Sequence, residues 1–311
     1  MDDTRTVCVL GAGTMGRGIA HAAATAGHRV RLRDVDDDVL AEASEEIRST
    51  LSGGVERGKL SAGGADAAFD RIETTTDLQS AAAGTDIAIE AVPEDVDLKR
   101  DVLSGAEAHL PDGALVGSNT SSLPLTGIAA ALERPDRAVG LHFFNPVHAM
   151  GLVEVVLAEQ TTAATRERAE SFVEGLGKTA VTVTDTPGFA TSRLGAMQGV
   201  EAIRMLQAGV AGPRDIDAGM ELGYRHPMGP IELTDVVGLD VRLDILEHLR
   251  EELGERFAPP PLLRRKVRAG KLGRKTGEGF YVWEDGEVVG VSGGHGAAGE
   301  RDVDDAETGG R

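Results

Sequence analysis

The stretch Gly11-Ala12-Gly13-Thr14-Met15-Gly16 directly follows an apolar run (TVCVL, residues 6–10) and opens a helical pattern over residues 14–26. A G-x-G-x-x-G turn between a strand and a helix restricts the fold more than any other feature of the chain. Gly11 permits the tight turn, Gly13 lets a pyrophosphate approach the backbone, and Gly16 lets helix and strand pack closely. The backbone N–H groups at the helix start then face phosphate, so Ala12, Thr14 and Met15 join the glycines as candidate cofactor contacts. Asp34 follows the second predicted strand, residues 29–33, and stands 18 residues beyond Gly16. A carboxylate there accepts from ribose hydroxyls, which favours NAD over NADP; Arg31 and Arg33 nearby temper that preference.

The rest of the first half repeats the alternation. Strands are predicted at residues 87–91, 115–117, 138–141, 153–157 and 180–183, with helices at 96–109 and 165–176. Asp36, Asp37 and Asp38 open a further helix, where carboxylates complement the positive end of the dipole. This is the pattern of a doubly wound, mostly parallel α/β sheet of the Rossmann type. After Thr186-Pro187-Gly188-Phe189 the periods become helical: residues 190–207, 213–222, 230–253 and 262–269. The expected organisation is an NAD-binding domain over 1–186 and an all-helical domain over 187–283. An acidic, Gly-rich tail over 284–311 has too few apolar residues to order itself.

Charge and composition exclude several functions. The chain has 51 acidic and 32 basic residues and a net charge of −19. Nucleic acid and anionic membranes both need a cationic surface, so neither is an expected partner. No apolar run approaches the roughly 20 residues of a membrane-crossing helix, and the first residues do not read as a secretory signal. One cysteine, Cys8, rules out a disulfide framework, and the cytoplasm is the expected compartment. No metal site is expected. Only six lysines accompany the acidic surplus, which reads as a surface adapted to concentrated salt.

Candidate chemistry gathers where ligands bind in open α/β sheets, at the strand ends. Ser118-Asn119-Thr120-Ser121-Ser122 follows one strand, and His142-Phe143-Phe144-Asn145-Pro146 follows another. A histidine there can act as general base near neutral pH. Glu154 lies within an apolar run, LVEVV, so its carboxylate is expected to be buried and to need a partner. Paired with it, His142 has a set tautomer and a stabilised imidazolium. Phe143 and Phe144 are read as packing, and Cys8 as a small buried apolar residue. His21, His28, His109, His148, His226, His248 and His295 are read as structural or solvent-facing.

The ordered motifs GAGTMG, SNTSSL, GLHFFNPV, LVEVV, DTPGF, PMGP and KTGEGFY make the chain resemble the L-3-hydroxyacyl-CoA dehydrogenases, the 3-hydroxybutyryl-CoA group in particular. The resemblance runs from residue 6 to about 283. It implies NAD-linked interconversion of an L-3-hydroxyacyl-CoA and a 3-ketoacyl-CoA, on short chains. His142 then matches the catalytic base, Glu154 its orienting carboxylate, and Ser121 the serine that bonds substrate near the reacting oxygen. Asn119, Glu94, Lys99 and Lys275 match cofactor positions, and Asn145 is placed with the substrate contacts. Ser192 stands where the family usually has an asparagine near the thioester, and is taken as a fourth catalytic position. Arg57 and Lys59 are the candidate basic contacts for CoA, although this segment lacks the family's run of lysines. The resemblance also implies a homodimer through the helical domain. Two alternatives stay open: a related dehydrogenase of a free hydroxy acid or sugar acid, and a dinucleotide-binding protein without turnover.

Overall fold

Apolar β-branched runs separated by amphipathic segments need a sheet covered on both faces. The computed structural model, which describes residues 4–293, contains that sheet. Its chain order is β1 (Thr6–Leu10), α1 (Thr14–Thr25), β2 (Arg29–Arg33), α2 (Asp37–Glu56), α3 (Ala62–Phe69), β3 (Ile72–Thr75), α4 (Leu78–Ala82) and β4 (Ile87–Glu90). Then follow α5 (Val96–Glu107), β5 (Leu115–Ser118), α6 (Leu125–Ala129), β6 (Ala138–Phe143), β7 (Leu152–Leu157), α7 (Ala163–Gly175) and β8 (Thr179–Thr184). The strands lie in the order β3-β2-β1-β4-β5-β6-β7-β8. All neighbouring pairs are parallel except β6 and β7, which run antiparallel.

Alternation along β1 divides the core. Val7 and Val9 join the apolar layer with Ile19, Ala20 and Ala23 of α1, while Cys8 and Leu10 join the opposite layer with Leu103 of α5 and Ile128 of α6. Burying one such Leu, Ile or Val side chain is worth roughly 1.5–3 kcal/mol. Cys8 is buried as expected, and burial pushes its thiol up to about 12. The acidic helix starts work as caps. Asp36 accepts from Asp38 N at the start of α2, and Asp95 accepts from Asp97 N and Leu98 N at the start of α5.

The described residues divide into two compact units between Phe189 and Ala190. The second contains α8 (Thr191–Gln207), α9 (Pro213–Tyr224), α10 (Pro230–Val237), α11 (Leu239–Leu253), α12 (Pro261–Arg268), β9 (Tyr281–Glu284) and β10 (Glu287–Val291). Two expectations need correction here. Residues 230–253 do not form one helical run, because Gly238 at φ +102° ends α10 and starts α11. The tail does not begin at Glu284 either. Asp285 and Gly286, both at positive φ, turn the chain so that β10 pairs antiparallel with β9. A two-residue Asp-Gly turn between β-prone runs is a hairpin signal. Asp235 anchors this hairpin by accepting from Phe280 N, Tyr281 N and Trp283 Nε1. The remainder of the expected tail, residues 294–311, lies outside the described residues. Among the described residues no helix is long and apolar enough to cross a membrane, and no group of three or more His, Cys, Asp or Glu could hold a metal ion.

Candidate active site

The C-terminal ends of β1, β4, β5 and β6 carry the predicted site, at the place where the strand order reverses between β1 and β4. The glycine loop brings backbone close to backbone. Gly11 has φ +104°, and a Cβ there would meet Ala91 O at 2.8 Å; a Cβ on Gly16 would meet Gly11 O at 1.8 Å. A Cβ on Gly13 would meet nothing within 4 Å, so the loop opens outward where a pyrophosphate must approach. Helix α1 starts at Gly13 with no side chain capping its N–H groups, which leaves them for an anion. Ala12 is different, because its N–H is spent on Asp34 Oδ2 at 2.8 Å. Asp34 Oδ1 in turn accepts from Val35 N at 2.7 Å. The carboxylate is thus tied to the glycine loop and keeps lone pairs for a ribose. These features suit a dinucleotide with its pyrophosphate on α1 and its ribose on Asp34.

The base and its carboxylate come together through strand register. In the antiparallel β6–β7 ladder His142 stands directly opposite Glu154. Their side chains therefore share one face of the sheet. His142 Nδ1 lies 2.7 Å from Glu154 Oε2, His142 is buried, and Glu154 is fully enclosed. A buried carboxylate accepts, so Nδ1 carries the proton and Nε2 keeps its lone pair. No hydrogen bond among the described residues occupies Nε2. Phe144 and Phe189 pack on the ring, with centroids 4.5 and 5.8 Å away, and limit its rotation. Phe189, at φ 48°, sits on the DTPGF turn.

Glu94 organises the serine-rich loop. Its Oε1 accepts from Thr120 Oγ1 (2.7 Å), Ser121 N (2.9 Å), Ser122 N (3.2 Å) and the hydroxyls of Ser121 and Ser122 (3.3 Å each). Burial alone would raise its pKa, but the charge of Lys99 and the donors of Thr120 and Ser121 outweigh that and hold it below the usual value. Asn119 braces the next strand, its Oδ1 accepting from Phe143 N at 2.9 Å. Ser121 is partly exposed at the strand ends, while Asn145 is exposed in the loop between β6 and β7.

Lys99 lies inside the fold beside Glu94. It is among the largest fully buried side chains. Its three N–H donors are already used: Glu90 Oε1 at 2.7 Å, Val92 O at 3.1 Å and Glu94 Oε2 at 3.1 Å. A direct ligand contact would cost one of these bonds, and as placed Lys99 holds Glu94. Its main partner, Glu90, was not anticipated. Glu90 is fully buried and also accepts from Ser118 Oγ at 2.6 Å and Val92 N at 2.7 Å. The signal was present, because IAIEAV places an acid inside an apolar run as LVEVV does.

Arg57 and Lys59 are both exposed just beyond α2. In the second unit, Ser192 lies in the first turn of α8, and Lys275 Nζ is paired with Asp240 Oδ2 at 2.6 Å.

A Rossmann-type sheet with an open glycine loop, an acidic ribose position and a buried His–Glu pair defines an NAD-linked oxidoreductase. Residues 6–186 match the model of the 3-hydroxyacyl-CoA dehydrogenase NAD binding domain, and residues 188–283 match that of the 3-hydroxyacyl-CoA dehydrogenase C-terminal domain. The chain belongs to the 3-hydroxyacyl-CoA dehydrogenase family. It is 41% identical over 284 residues to a probable 3-hydroxybutyryl-CoA dehydrogenase of Bacillus subtilis, covering 91% of this chain and 99% of that one. It is 40% identical over 285 residues to the mitochondrial hydroxyacyl-coenzyme A dehydrogenase of Homo sapiens, covering 89% and 91%. Among solved structures, the (S)-3-hydroxybutyryl-CoA dehydrogenase of Ralstonia eutropha superposes with a TM-score of 0.87 at 39% identity, covering 91% of this chain and all of that one.

Proposed function

We propose that this enzyme oxidises short-chain L-3-hydroxyacyl-CoA esters such as 3-hydroxybutyryl-CoA, and reduces the corresponding 3-ketoacyl-CoA, with His142 as the general base. The observation that carries this reading is the 2.7 Å contact between His142 and an enclosed Glu154, inside a chain whose two parts match the two domains of that family. Gly13, the first turn of α1 and Asp34 would hold NAD, which would supply the hydride acceptor for C3. His142 accepts the hydroxyl proton on Nε2, while Glu154 holds Nδ1–H and stabilises the imidazolium that results. In reduction the same ring returns the proton. Ser121 orients the reacting oxygen from the loop that Glu94 holds. Gly13 and the first turn of α1 take the pyrophosphate, and Asp34 takes the ribose. Asn119 supports both sides by holding the serine loop to β6. Asn145 supplies a further substrate contact; for Ser192 and Lys275, in the second unit, the family resemblance implies a substrate and a cofactor role.

The direct test is NADH oxidation with acetoacetyl-CoA, with and without molar KCl. We expect NADH to outperform NADPH and activity to rise with salt. Faster turnover of a free 3-keto acid than of its CoA ester would end the substrate assignment, and NADH binding without turnover would end the enzymatic one. Lower activity in molar KCl would remove the reading of a salt-adapted surface.

We also infer a homodimer through the helical domain. Its surface exposes Leu222 by 84%, Tyr224 by 75% and Leu194 by 66%, apolar side chains that a second copy would cover. Sedimentation equilibrium should return a mass near twice 32.5 kDa, and a concentration-independent monomer would refute the pairing. A cytoplasmic location is consistent with a lone cysteine that is buried and unpaired.

A further inference from the structure

The connection between β6 and β7, residues 144–151, is fastened at several points although most of it is exposed. It starts two residues after His142, and its first side chain, Phe144, packs on the His142 ring with centroids 4.5 Å apart. Val147 is its buried anchor, 2% exposed and part of the apolar layer that includes Ile19 and Ala23 of α1. Around Val147 the backbone closes a turn, in which Pro146 O accepts from Ala149 N at 3.0 Å and from Met150 N at 3.1 Å. Lys178 Nζ donates to Val147 O and Met150 O, both at 2.7 Å, so one ammonium serves two carbonyls of the same turn. Lys178 is itself fixed between α7 and β8. Its N–H donates to Val173 O at 3.2 Å, and the N–H of Thr179 donates to Gly151 O at 2.7 Å. On the other side the loop meets α1. A Cβ on Gly18 would lie 2.8 Å from Val147 Cγ2 and 3.0 Å from Val147 Cβ, so only glycine admits this approach. Three residues on, the His21 ring stands edge-on to that of His148, with centroids 5.9 Å apart. The two strands do not depend on this clamp, since their own ladder joins residues 140–143 to 153–156. What the clamp fixes is where the loop sits against α1.

We propose that Lys178 and Gly18 are positioning residues for His142. The ammonium clamp and the close helix contact set the loop, the loop sets Phe144, and Phe144 sets the angle at which Nε2 faces the reacting hydroxyl. The proposal rests on the reading of His142 as the general base. Neither Lys178 nor Gly18 takes part in the chemistry. Their effect comes through alignment, on which proton transfer depends steeply: a misplacement of 1 Å can cost about 10²-fold in rate.

Two unlike perturbations of the same loop test it in the intact chain. Lys178→Met releases both carbonyls. Gly18→Ala pushes Val147 away while favouring the helix, because alanine is the better helix former. Each should lower the single-turnover rate of acetoacetyl-CoA reduction about tenfold and enlarge its solvent deuterium isotope effect, with NADH affinity within about twofold of wild type. Lys178→Arg keeps donors for both carbonyls and should recover most of the rate. Val147→Ala added to Gly18→Ala removes the obstructing Cγ2 and should recover part of it, although the change gives up apolar contact. NADH titration counts the folded sites, so each rate is expressed per folded molecule. A lowered midpoint temperature with wild-type rate and isotope effect per site would mean that the loop is fastened for stability alone, and would overturn the proposal. A Gly18→Ala defect that Val147→Ala leaves unchanged would overturn the route through the loop. His142→Gln, measured alongside, separates the two readings. Normal turnover there ends the base assignment and the positioning role with it. An inactive His142→Gln beside normal Lys178→Met and Gly18→Ala ends the positioning role alone.

Discussion

His142→Gln should lower kcat with acetoacetyl-CoA by about 10²–10⁴-fold while leaving NADH binding within about twofold of wild type. The fall comes from losing the proton acceptor at Nε2. A glutamine amide can still donate toward Glu154 Oε2, which His142 Nδ1 meets at 2.7 Å, so the buried carboxylate keeps a partner and the fold is spared. The glycine loop and Asp34 belong to other strand ends, which is why cofactor affinity is expected to persist. Stopped-flow reduction under single-turnover conditions, with NADH affinity from fluorescence titration, separates the two effects. A variant within tenfold of wild-type turnover would remove His142 from proton transfer. Glu154→Gln should follow in the same direction with a smaller loss, since the ring remains but its imidazolium loses a compensating charge.

Lys99→Met should destabilise the NAD-binding unit by about 3–5 kcal/mol, the usual cost of removing one partner from a buried ion pair. Glu90 is enclosed, and without the ammonium it keeps only the Ser118 hydroxyl and the Val92 N–H as donors. Double replacement with Glu90→Gln should recover part of the loss, because no lone charge then remains inside. Urea unfolding should be followed by far-ultraviolet circular dichroism, since the only tryptophan and both tyrosines (Trp283, Tyr224, Tyr281) lie in the second unit. A loss below about 1 kcal/mol would mean that the pair is no stronger than one at the surface.

The same substitution has a pH signature. Glu94 sits below its unfolded value in the folded protein, so its contribution is complete above the ordinary carboxylate range and disappears as pH falls through the depressed value. Without Lys99, burial is opposed by the neutral donors of Thr120, Ser121 and Ser122 and no longer by a neighbouring positive charge. The acid limb of the stability curve should therefore move to higher pH.

What could be read from the amino acids depended on how local the cause was. The strand, glycine turn and helix over residues 6–25 are set by neighbouring residues, and the structure reproduces them nearly to the residue. Glu154 stood out because an acid within LVEVV must find a partner. Glu90 in IAIEAV obeyed the same rule and was overlooked because no histidine drew attention to its strand. Edge strand β3 was missed, since IETT is short and half exposed and offers little apolar pattern. Helix α3, AGGADAAF, has too few large apolar residues to announce itself. Composition misled at β10, where glycine and acid content concealed the hairpin signal of Asp285-Gly286. The inward course of Lys99 depends on Glu90 at the end of β4 and on Val92 O and Glu94 in the loop that follows, and a helical pattern does not reveal which lysine turns inside.

The antiparallel rung between residues 142 and 154 carries a tolerance rule. Ladder hydrogen bonds hold both residues on one side of the sheet, whatever the route taken by the eight residues that connect β6 to β7. Insertions and deletions in that connection can therefore accumulate, and with them new substrate preferences, without separating the pair. A single residue added inside either strand has the opposite effect: the frame slips by one and the carboxylate swings to the far side of the sheet. Diversity in such a lineage is thus channelled into the connecting loop and kept out of the strands beside it.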